Sequence, residues 1–199
     1  MRWGLLLRAL GIVLALLITS AVRASETATP RITLSLQSLD GRNVTEADLP
    51  AKWVLIYFGY TYCPDICPTA LLDLSRLLDL LGPLAARIQP VFITIDPARD
   101  TPEVLKQYVA NIDPRLLALT GSESEIHAAA QQFHFYYVRY RDPKLGADSI
   151  DHSSYFFVID PDRHLAADFA TPDVGPEEIA ARLRPLLDNF EAARHLDGK

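Results

Sequence analysis

The stretch WVLIYFGYTYCPDICPTALLDLSRLLDLL, residues 53–81, decides the fold. Its first residues, 53–58, form a continuous apolar and aromatic run that is typical of a strand buried on both faces. Leucines then recur with helical spacing until Gly82-Pro83 ends the pattern, which predicts a helix of about 13 residues. A second apolar run, at 91–95, predicts another strand, so this part of the chain forms a strand–helix–strand unit.

The rest of the chain adds further elements to this unit. Thr101-Pro102 supplies an N-cap and a first-turn proline, and Ser122-x-x-Glu125 is a capping box. Further predicted elements are an aromatic segment at 135–140, strands at 154–159 and 164–169 joined by a turn at 160–163, and a final helix from Pro176 kinked at Pro185. This order predicts an α/β, thioredoxin-like fold with a central mixed sheet flanked by helices and a terminal β-hairpin.

Length, composition and charge restrict the class of protein. The chain has 199 residues, of which 49% are hydrophobic and 22% charged, as expected for one globular domain with a sizeable core. Acidic residues number 25 and basic residues 19, for a net charge of −6, which is the wrong sign for binding phosphate backbones. We therefore expect no nucleic-acid partner.

The N-terminus indicates export. Residues 1–24 contain three arginines and no acid, and their uncharged run at 9–22 is shorter than the ~20 residues that a spanning helix needs. We interpret 1–24 as a signal sequence or N-terminal membrane anchor, 25–31 as a linker, 32–194 as the thioredoxin-like domain and 195–199 as a tail. Export places the domain in an oxidising compartment.

The cysteine pair lies where a thioredoxin-like fold has its active loop. Cys63 and Cys67 are the only cysteines, and Pro64 and Pro68 predict a loop over 63–67, with Pro68 at the first helical position. Cys67 then lies near the helix N-cap, where the dipole favours a thiolate, so we expect the pair to ionise readily. Two thiolates in a tight loop suit a soft ion such as Cu(I) and leave room for a third ligand. A structural disulfide is the alternative.

Histidine is the expected third ligand, and the chain offers five. We expect His127, His164 and His195 to be solvated and His134 to be half-buried among aromatic residues. His152 lies in Asp151-His152-Ser153, directly before a predicted strand, in the loop that faces the active cysteines in thioredoxin-like folds. Thioredoxins place a cis proline there. The alternative for His152 is an exposed loop histidine without a ligand role.

Three segments together resemble the Sco/SenC family of copper chaperones: YFGYTYCPDICPTAL, VFITIDPARDT and DHSSYFFVIDP. The resemblance covers residues 32 to 190 and implies a thioredoxin-like protein that binds one copper, as Cu(I) or Cu(II), through Cys63, Cys67 and His152. It implies delivery of copper to the dinuclear centre in the copper-bearing subunit of cytochrome c oxidase, with a copper donor and a thiol reductant as further partners. The signal-like N-terminus favours the periplasm, with the protein soluble or tethered to the inner membrane.

A second function remains open. In a periplasmic thiol-disulfide oxidoreductase, Cys63 and Cys67 are the catalytic redox pair rather than copper ligands. The three-residue spacing of the cysteines, and a histidine in place of the loop proline, favour metal binding. Zinc is disfavoured because zinc sites need further ligands. A peroxidase is disfavoured because the loop between the cysteines shows no arrangement of arginine or threonine that would activate a peroxide. Asp65 and Asp151 flank the ligands and are candidates for orienting His152 or attracting a cationic partner.

Overall fold

The computed structural model describes residues 30–64, 66–143 and 146–197, without the side chains of 147 and 190–197. The strands are β1 (Ser35–Ser38), β2 (Asn43–Thr45), β3 (Trp53–Gly59), β4 (Ile88–Thr94), β5 (Leu117–Thr120), β6 (Tyr137–Asp142), β7 (Ala147–His152), β8 (Tyr155–Ile159) and β9 (Leu165–Ala170). The α-helices are α1 (Ile66–Leu81), α2 (Pro102–Ile112), α3 (Glu123–Gln132) and α4 (Pro176–Asp197), and a 3-10 helix spans Gly82–Arg87.

The main sheet is mixed, with strand order β2-β1-β5-β4-β3-β8-β9. Strands β3, β4 and β5 run parallel to one another, whereas β1, β8 and β9 join the sheet in antiparallel pairs. Helix α1 connects β3 to β4 and packs against α4. The predicted thioredoxin-like α/β fold, with flanking helices and a terminal hairpin of β8 and β9, is confirmed.

Strand β3 is the centre of the core and ends at the cysteine loop. All seven of its residues are buried, and because successive side chains point to opposite faces, both faces of the sheet are covered here. Its register with β4 pairs Trp53 with Ile88 and Gly59 with Thr94. The two strands therefore end side by side, and the loops that follow them meet at one edge.

Helix α1 begins earlier than predicted. It starts at Ile66, so Cys67 is its second residue and Pro68 its third, and the expectation that 63–67 is entirely loop is wrong. The early start is allowed because the first turn of a helix has no intrahelical partner for its N–H groups, and proline therefore costs no hydrogen bond there. The predicted end is confirmed: α1 stops at Leu81, and Gly82 takes a φ of 58°.

Strands β6 and β7 form a two-stranded antiparallel hairpin of their own. Tyr137 pairs with His152 at its base, so His152 is the last residue of a strand rather than part of a free loop. Residues 153 and 154 then lead directly into β8, the neighbour of β3. This connection brings the end of β7 to the edge of the sheet where the cysteine loop lies.

Several predicted local features are confirmed. Thr101 caps α2, with its side chain accepting from the N–H of Val104, and Ser122 and Glu125 form the capping box of α3. Pro185 lies inside α4, and the kink expected there stays a prediction. Arg31 forms an isolated antiparallel backbone β-bridge with His164, the residue before β9. This bridge attaches the start of the described chain to the edge of the main sheet.

The N-terminal segment interpreted as a signal sequence or anchor, 1–24, lies outside the described residues, as do linker positions 25–29 and tail residues 198 and 199. The division of the chain into these parts stays a prediction. No helix in the part of the chain that the structure describes combines the length and the apolar character needed to cross a membrane.

Candidate metal centre

The structure brings the three predicted ligands together. One potential ligand atom from each of Cys63, Cys67 and His152 lies within 4.8 Å of the others, and Nε2 of His152 is 3.4 Å from Sγ of Cys67. Within residues 30–64, 66–143 and 146–197, no other group of three or more His, Cys, Asp or Glu side chains converges in this way. Two soft sulfurs and one imidazole form a donor set suited to copper.

The two cysteines occupy different environments on either side of the start of α1. Cys67 is fully buried, whereas Cys63 is half-buried and packs on the edge of the core. The N–H of Cys67, in the first turn of the helix, donates to Sγ of Cys63 at 3.5 Å. The helix terminus therefore directs a backbone donor at the Cys63 sulfur, and Cys63 is the member of the pair that faces outward.

The side chain of Asp100 anchors the cysteine loop through hydrogen bonds with Thr61. This buried carboxylate accepts from the N–H and the hydroxyl of Thr61, the latter at 2.5 Å, and from the Thr94 hydroxyl at 2.6 Å. Burial raises the pKa of Asp100, partly offset by these three donors. Asp100 was not predicted as a site residue, although it lies within the quoted segment VFITIDPARDT; an aspartate in a loop is usually solvated, and only the fold places it under Thr61.

His152 is fixed in the tautomer that a metal ligand needs. Its Nδ1 lies 2.6 Å from the carbonyl oxygen of Ser153, which can only accept, so Nδ1 carries the hydrogen and Nε2 keeps its lone pair toward the cysteines. The imidazole lies between the rings of Tyr60 and Phe135, with ring centroids 5.8 and 5.9 Å away. The exposed aspartate Asp151 is therefore not the group that orients His152, contrary to one of the roles considered for it.

Asp96, in the same loop as Asp100, holds the hairpin that carries His152. It is fully buried and accepts from Arg139 of β6 at 2.8 Å and from the adjacent Arg99. Arg99 also donates to the backbone carbonyl of Asp148 on β7 at 2.7 Å. The segment after β4 thus fastens both ligand-bearing parts of the chain, the cysteine loop and the β6–β7 hairpin, to the same edge of the sheet.

The Cys67 thiol holds its proton more tightly than expected. Its pKa is raised well above the ordinary value by a hydrogen bond with Cys63, by burial and by the negative charge that Cys63 can carry, while donors from the Tyr60 backbone and the Tyr57 hydroxyl act in the opposite direction. The prediction that the whole pair ionises readily is therefore wrong for Cys67. A cation bound by the sulfur would supply the charge that compensates a Cys67 thiolate.

Of the histidines whose side chains are described, only His152 joins the group. His127 is exposed, as predicted, whereas His164, which was expected to be solvated, is half-buried, with its Nδ1 3.5 Å from Oδ2 of Asp160. His134 is exposed, on the turn after α3, and has a φ of 50°, so the expectation of a half-buried histidine is wrong. The side chain of His195 and all of Asp65 lie outside the described part of the chain.

This fold and site define a class: a thioredoxin-like protein whose active-loop cysteines are joined by an imidazole in a soft-metal donor set. A family model described as SCO1/SenC matches residues 23–188. The chain therefore belongs to the SCO1/SenC family.

Individual relatives agree with this assignment. Protein SenC of Rhodobacter capsulatus is 38% identical over 157 residues, which cover 79% of this chain and 70% of that protein. The mitochondrial protein SCO2 of Saccharomyces cerevisiae is 38% identical over 133 residues, covering 64% of this chain and 43% of that one. The chain thus spans less than half the length of this yeast relative.

Solved structures with copper are among the similar folds. The copper-bound structure of ScoI from Arabidopsis thaliana matches with a TM-score of 0.72 and 30% identity, covering 81% of this chain and 98% of that chain. The copper-bound ScoI from Bradyrhizobium japonicum gives 0.68 and 34%, covering 78% and 98%. This chain is therefore similar in fold and sequence to two Sco proteins whose structures were solved with copper bound.

Proposed function

We propose that this protein is a copper metallochaperone that binds one copper per chain through Cys63, Cys67 and His152. It delivers that copper to the copper-bearing subunit of cytochrome c oxidase. The observation that carries the proposal is the convergence of the three ligand atoms within 4.8 Å at the end of β3. The copper-bound relatives and the family membership support the choice of metal, and the export-like N-terminus supports a periplasmic location.

Each ligand has a distinct task in this proposal. Cys67 is the buried anchor, His152 supplies the nitrogen that Cu(II) prefers, and the half-exposed Cys63 is the ligand that a partner reaches first. Tyr62 and Ile66 beside it are exposed, so the loop presents apolar surface around the site. Delivery then proceeds by ligand exchange: a partner thiolate replaces Cys63 on the metal before the remaining ligands release it.

Thiol-disulfide exchange is the second candidate, and the asymmetry of the pair favours it as an accompanying activity. The outward Cys63 thiolate attacks a partner disulfide, forming a mixed disulfide and releasing one partner thiolate. Cys67 then passes its proton to the first released partner thiolate and attacks Sγ of Cys63, which releases the second partner thiolate and leaves Cys63 and Cys67 as a disulfide. Two electrons pass to the partner, and a thiol reductant must restore the pair. The Nε2 lone pair of His152 beside Cys67 favours metal binding as the main role.

Metal content separates these roles. The reduced protein is titrated with Cu(I) and with Cu(II) and compared with protein in which the pair has been oxidised to a disulfide. We expect one copper per chain before oxidation and none after it, since the disulfide has lost both thiolates. Equal copper retention in the two states would show that the cysteines are not the ligands.

The cellular role is tested in cells that lack the protein. We expect loss of activity of an oxidase with a dinuclear copper centre at limiting copper and partial rescue by added copper. An unimpaired oxidase under these conditions would exclude delivery to that centre and favour the oxidoreductase role.

A further inference from the structure

The β6–β7 hairpin, which carries His152, is attached to the rest of the protein largely by side chains. In the part of the chain that the structure describes, β6 and β7 pair with each other and with no strand of the seven-stranded sheet. The Tyr60 hydroxyl bonds β7 at Ser149 Oγ and at the N–H of Ile150, 3.2 and 3.3 Å away. The position of His152 relative to the cysteines therefore depends on contacts of this kind, because no backbone ladder holds the hairpin against the sheet.

Strand β6 has an attachment of its own in Arg139. Nη2 of Arg139 lies 2.8 Å from Oδ1 of Asp96, whose side chain is completely buried, and the other oxygen of this carboxylate accepts from Nε of Arg99. Asp96 is itself fixed in the loop after β4, where its N–H donates to the Thr94 hydroxyl at 3.0 Å. The ion pair of Arg139 and Asp96 therefore joins β6 to a buried point of the fold.

Arg139 lies on the face of the hairpin that carries His152. In the antiparallel register Tyr137 is opposite His152 and Arg139 is opposite Ile150, and residues directly opposite each other share a face. Positions 137 and 139 are two apart, so all four side chains lie on one face. Ile150 is 4% exposed and belongs to the core, so this face is turned toward the body of the protein. The ion pair thus holds the face that bears His152 against the edge of the sheet where the cysteine loop lies.

The cysteines have a separate anchor. Cys67 lies in the first turn of α1, and the loop before it is bonded to Asp100 through Thr61. Loosening the hairpin would therefore move the nitrogen ligand and leave the sulfur ligands in place. Two thiolates alone hold Cu(I) well, whereas Cu(II) prefers nitrogen and a higher coordination number. The two oxidation states of copper thus depend on the hairpin to different extents.

We propose that the Asp96–Arg139 ion pair is a latch that positions His152 for the metal and so sets the preference of the site for Cu(II) over Cu(I). This inference rests on the proposed copper-binding function. Arg139 is a positioning residue that acts through His152, since a guanidinium has no lone pair to offer a metal. When the latch is lost, the fraction of molecules with the imidazole in place falls, and the apparent affinity for Cu(II) falls by the same factor.

The test is Arg139→Ala in the whole chain, which removes the latch and leaves Asp96 paired with Arg99. The affinity for Cu(II) should fall by about threefold to tenfold, the range for one hydrogen bond, while the affinity for Cu(I) stays unchanged. This ratio raises the reduction potential of the bound copper by about 30–60 mV, at about 59 mV for each factor of ten. Loss of a positive charge alone would act in the opposite direction, because it strengthens the binding of a cation.

The matched control is Arg141→Ala. Arg141 lies on the same strand and the same face as Arg139, and it also pairs with an aspartate, Asp148, at 3.4 Å. Asp148 is on β7, so this ion pair stays within the hairpin. Arg141→Ala removes the same charge and the same kind of side chain and should not weaken the binding of Cu(II). An equal fall in Cu(II) affinity in both variants, or no fall in Arg139→Ala, would overturn the proposal.

A double-mutant cycle with His152→Ala tests whether Arg139 acts through the ligand. Without the imidazole the position of the hairpin no longer matters to the metal, so Arg139→Ala should cause no further loss of Cu(II) affinity in the His152→Ala background. Additive losses would show that Arg139 acts on the fold in general, which overturns the proposal. A wild-type protein that binds no copper overturns the proposed function as well, whereas copper binding with a wild-type ratio of Cu(II) to Cu(I) affinity in Arg139→Ala overturns this inference alone.

Discussion

The Nε2 atom of His152 lies 3.4 Å from the Sγ atom of Cys67, although 85 positions of sequence separate the two residues. The contact follows from topology: β8 is the neighbour of β3, and the hairpin that precedes β8 ends at His152 just beside the loop that follows β3. The Ser153 carbonyl fixes the imidazole so that its lone pair faces the sulfur. The donor set is therefore organised before any metal arrives, and little ordering entropy has to be lost on binding.

Removing this imidazole should affect the binding of Cu(II) and of Cu(I) to different extents. In His152→Ala the two cysteines remain, and a pair of thiolates holds Cu(I) in near-linear coordination, whereas Cu(II) prefers nitrogen and a higher coordination number. We expect Cu(II) affinity to fall far more than Cu(I) affinity, and the dithiol to keep its reactivity. Competitive titration of each ion with a chelator of known affinity measures both changes.

His134→Ala is the control for that experiment. His134 is exposed on the turn after α3 and does not contribute to the group of ligand atoms. Its loss should leave the copper spectrum unchanged. If His134→Ala abolishes Cu(II) binding and His152→Ala does not, the ligand assignment is wrong.

A single added methyl group at Gly59 should disturb the site and the core together. In Gly59→Ala the new Cβ would lie 2.9 Å from the Cys67 sulfur and 3.1 Å from Cε2 of Phe92, and both belong to rigid, buried surroundings. Overpacking of this kind costs about 1–3 kcal/mol. We expect a lower unfolding midpoint in urea and weaker binding of copper in both oxidation states.

Gly121→Ala provides the comparison. Its nearest neighbour would be the carboxylate end of Glu125, at 3.1 Å, which can shift only by loosening the capping box that it forms with Ser122. This variant should therefore lose some stability, about 0.5–2 kcal/mol for a lost cap, but retain wild-type copper affinity, since the capping box lies outside the metal site. A Gly59→Ala protein with wild-type copper affinity, like Gly121→Ala, would show that the space beside Cys67 is not restricted.

The sequence alone predicts the parts of this molecule that carry strong local patterns. The apolar runs of β3 and β4 and the leucine spacing of α1 are read directly because burial imposes them. Strand β7, ADSIDH, has no such pattern, and only its pairing with β6 makes it a strand. Of the site, the residues with recognisable chemistry could be predicted. Asp100 could not, since it resembles a solvated loop acid until the fold places it against Thr61.

Asp100→Asn should weaken copper binding without a comparable change in the free energy of unfolding. The amide keeps one acceptor oxygen, so it can no longer accept from both Thr61 and Thr94, and the cysteine loop loses part of its anchor. At the same time the variant no longer buries a charge, and burial is what raises the pKa of this carboxyl. We therefore expect weaker copper binding, by about tenfold for one lost hydrogen bond, with little change in the free energy of unfolding at pH 7.

The matched control is Asp113→Asn, at a second buried carboxylate that also accepts from a hydroxyl and a backbone N–H but lies outside the metal site. In Asp113→Asn we expect the opposite pattern from Asp100→Asn: the free energy of unfolding falls, and the affinity for copper is unchanged. Equal copper affinity in Asp100→Asn and wild type would remove Asp100 from the account of the site.

Asp113 also predicts how stability depends on pH. The Arg115 side chain, followed by the Ser75 hydroxyl, lowers the pKa of this carboxyl from 3.8 to about 2, against the opposing effect of burial. Because the folded-state pKa is the lower one, the ionised carboxylate stabilises the fold fully above pH 3.8, and this contribution of about 2 kcal/mol is lost as the pH falls through about 2. The difference in unfolding free energy between wild type and Asp113→Asn, measured by urea denaturation, should therefore shrink between pH 5 and about pH 2. Arg115→Gln should reduce the same pH dependence, since its guanidinium is the main cause of the shift. A wild-type-to-variant difference that stays constant over this range would show that the ion pair does not stabilise the folded state.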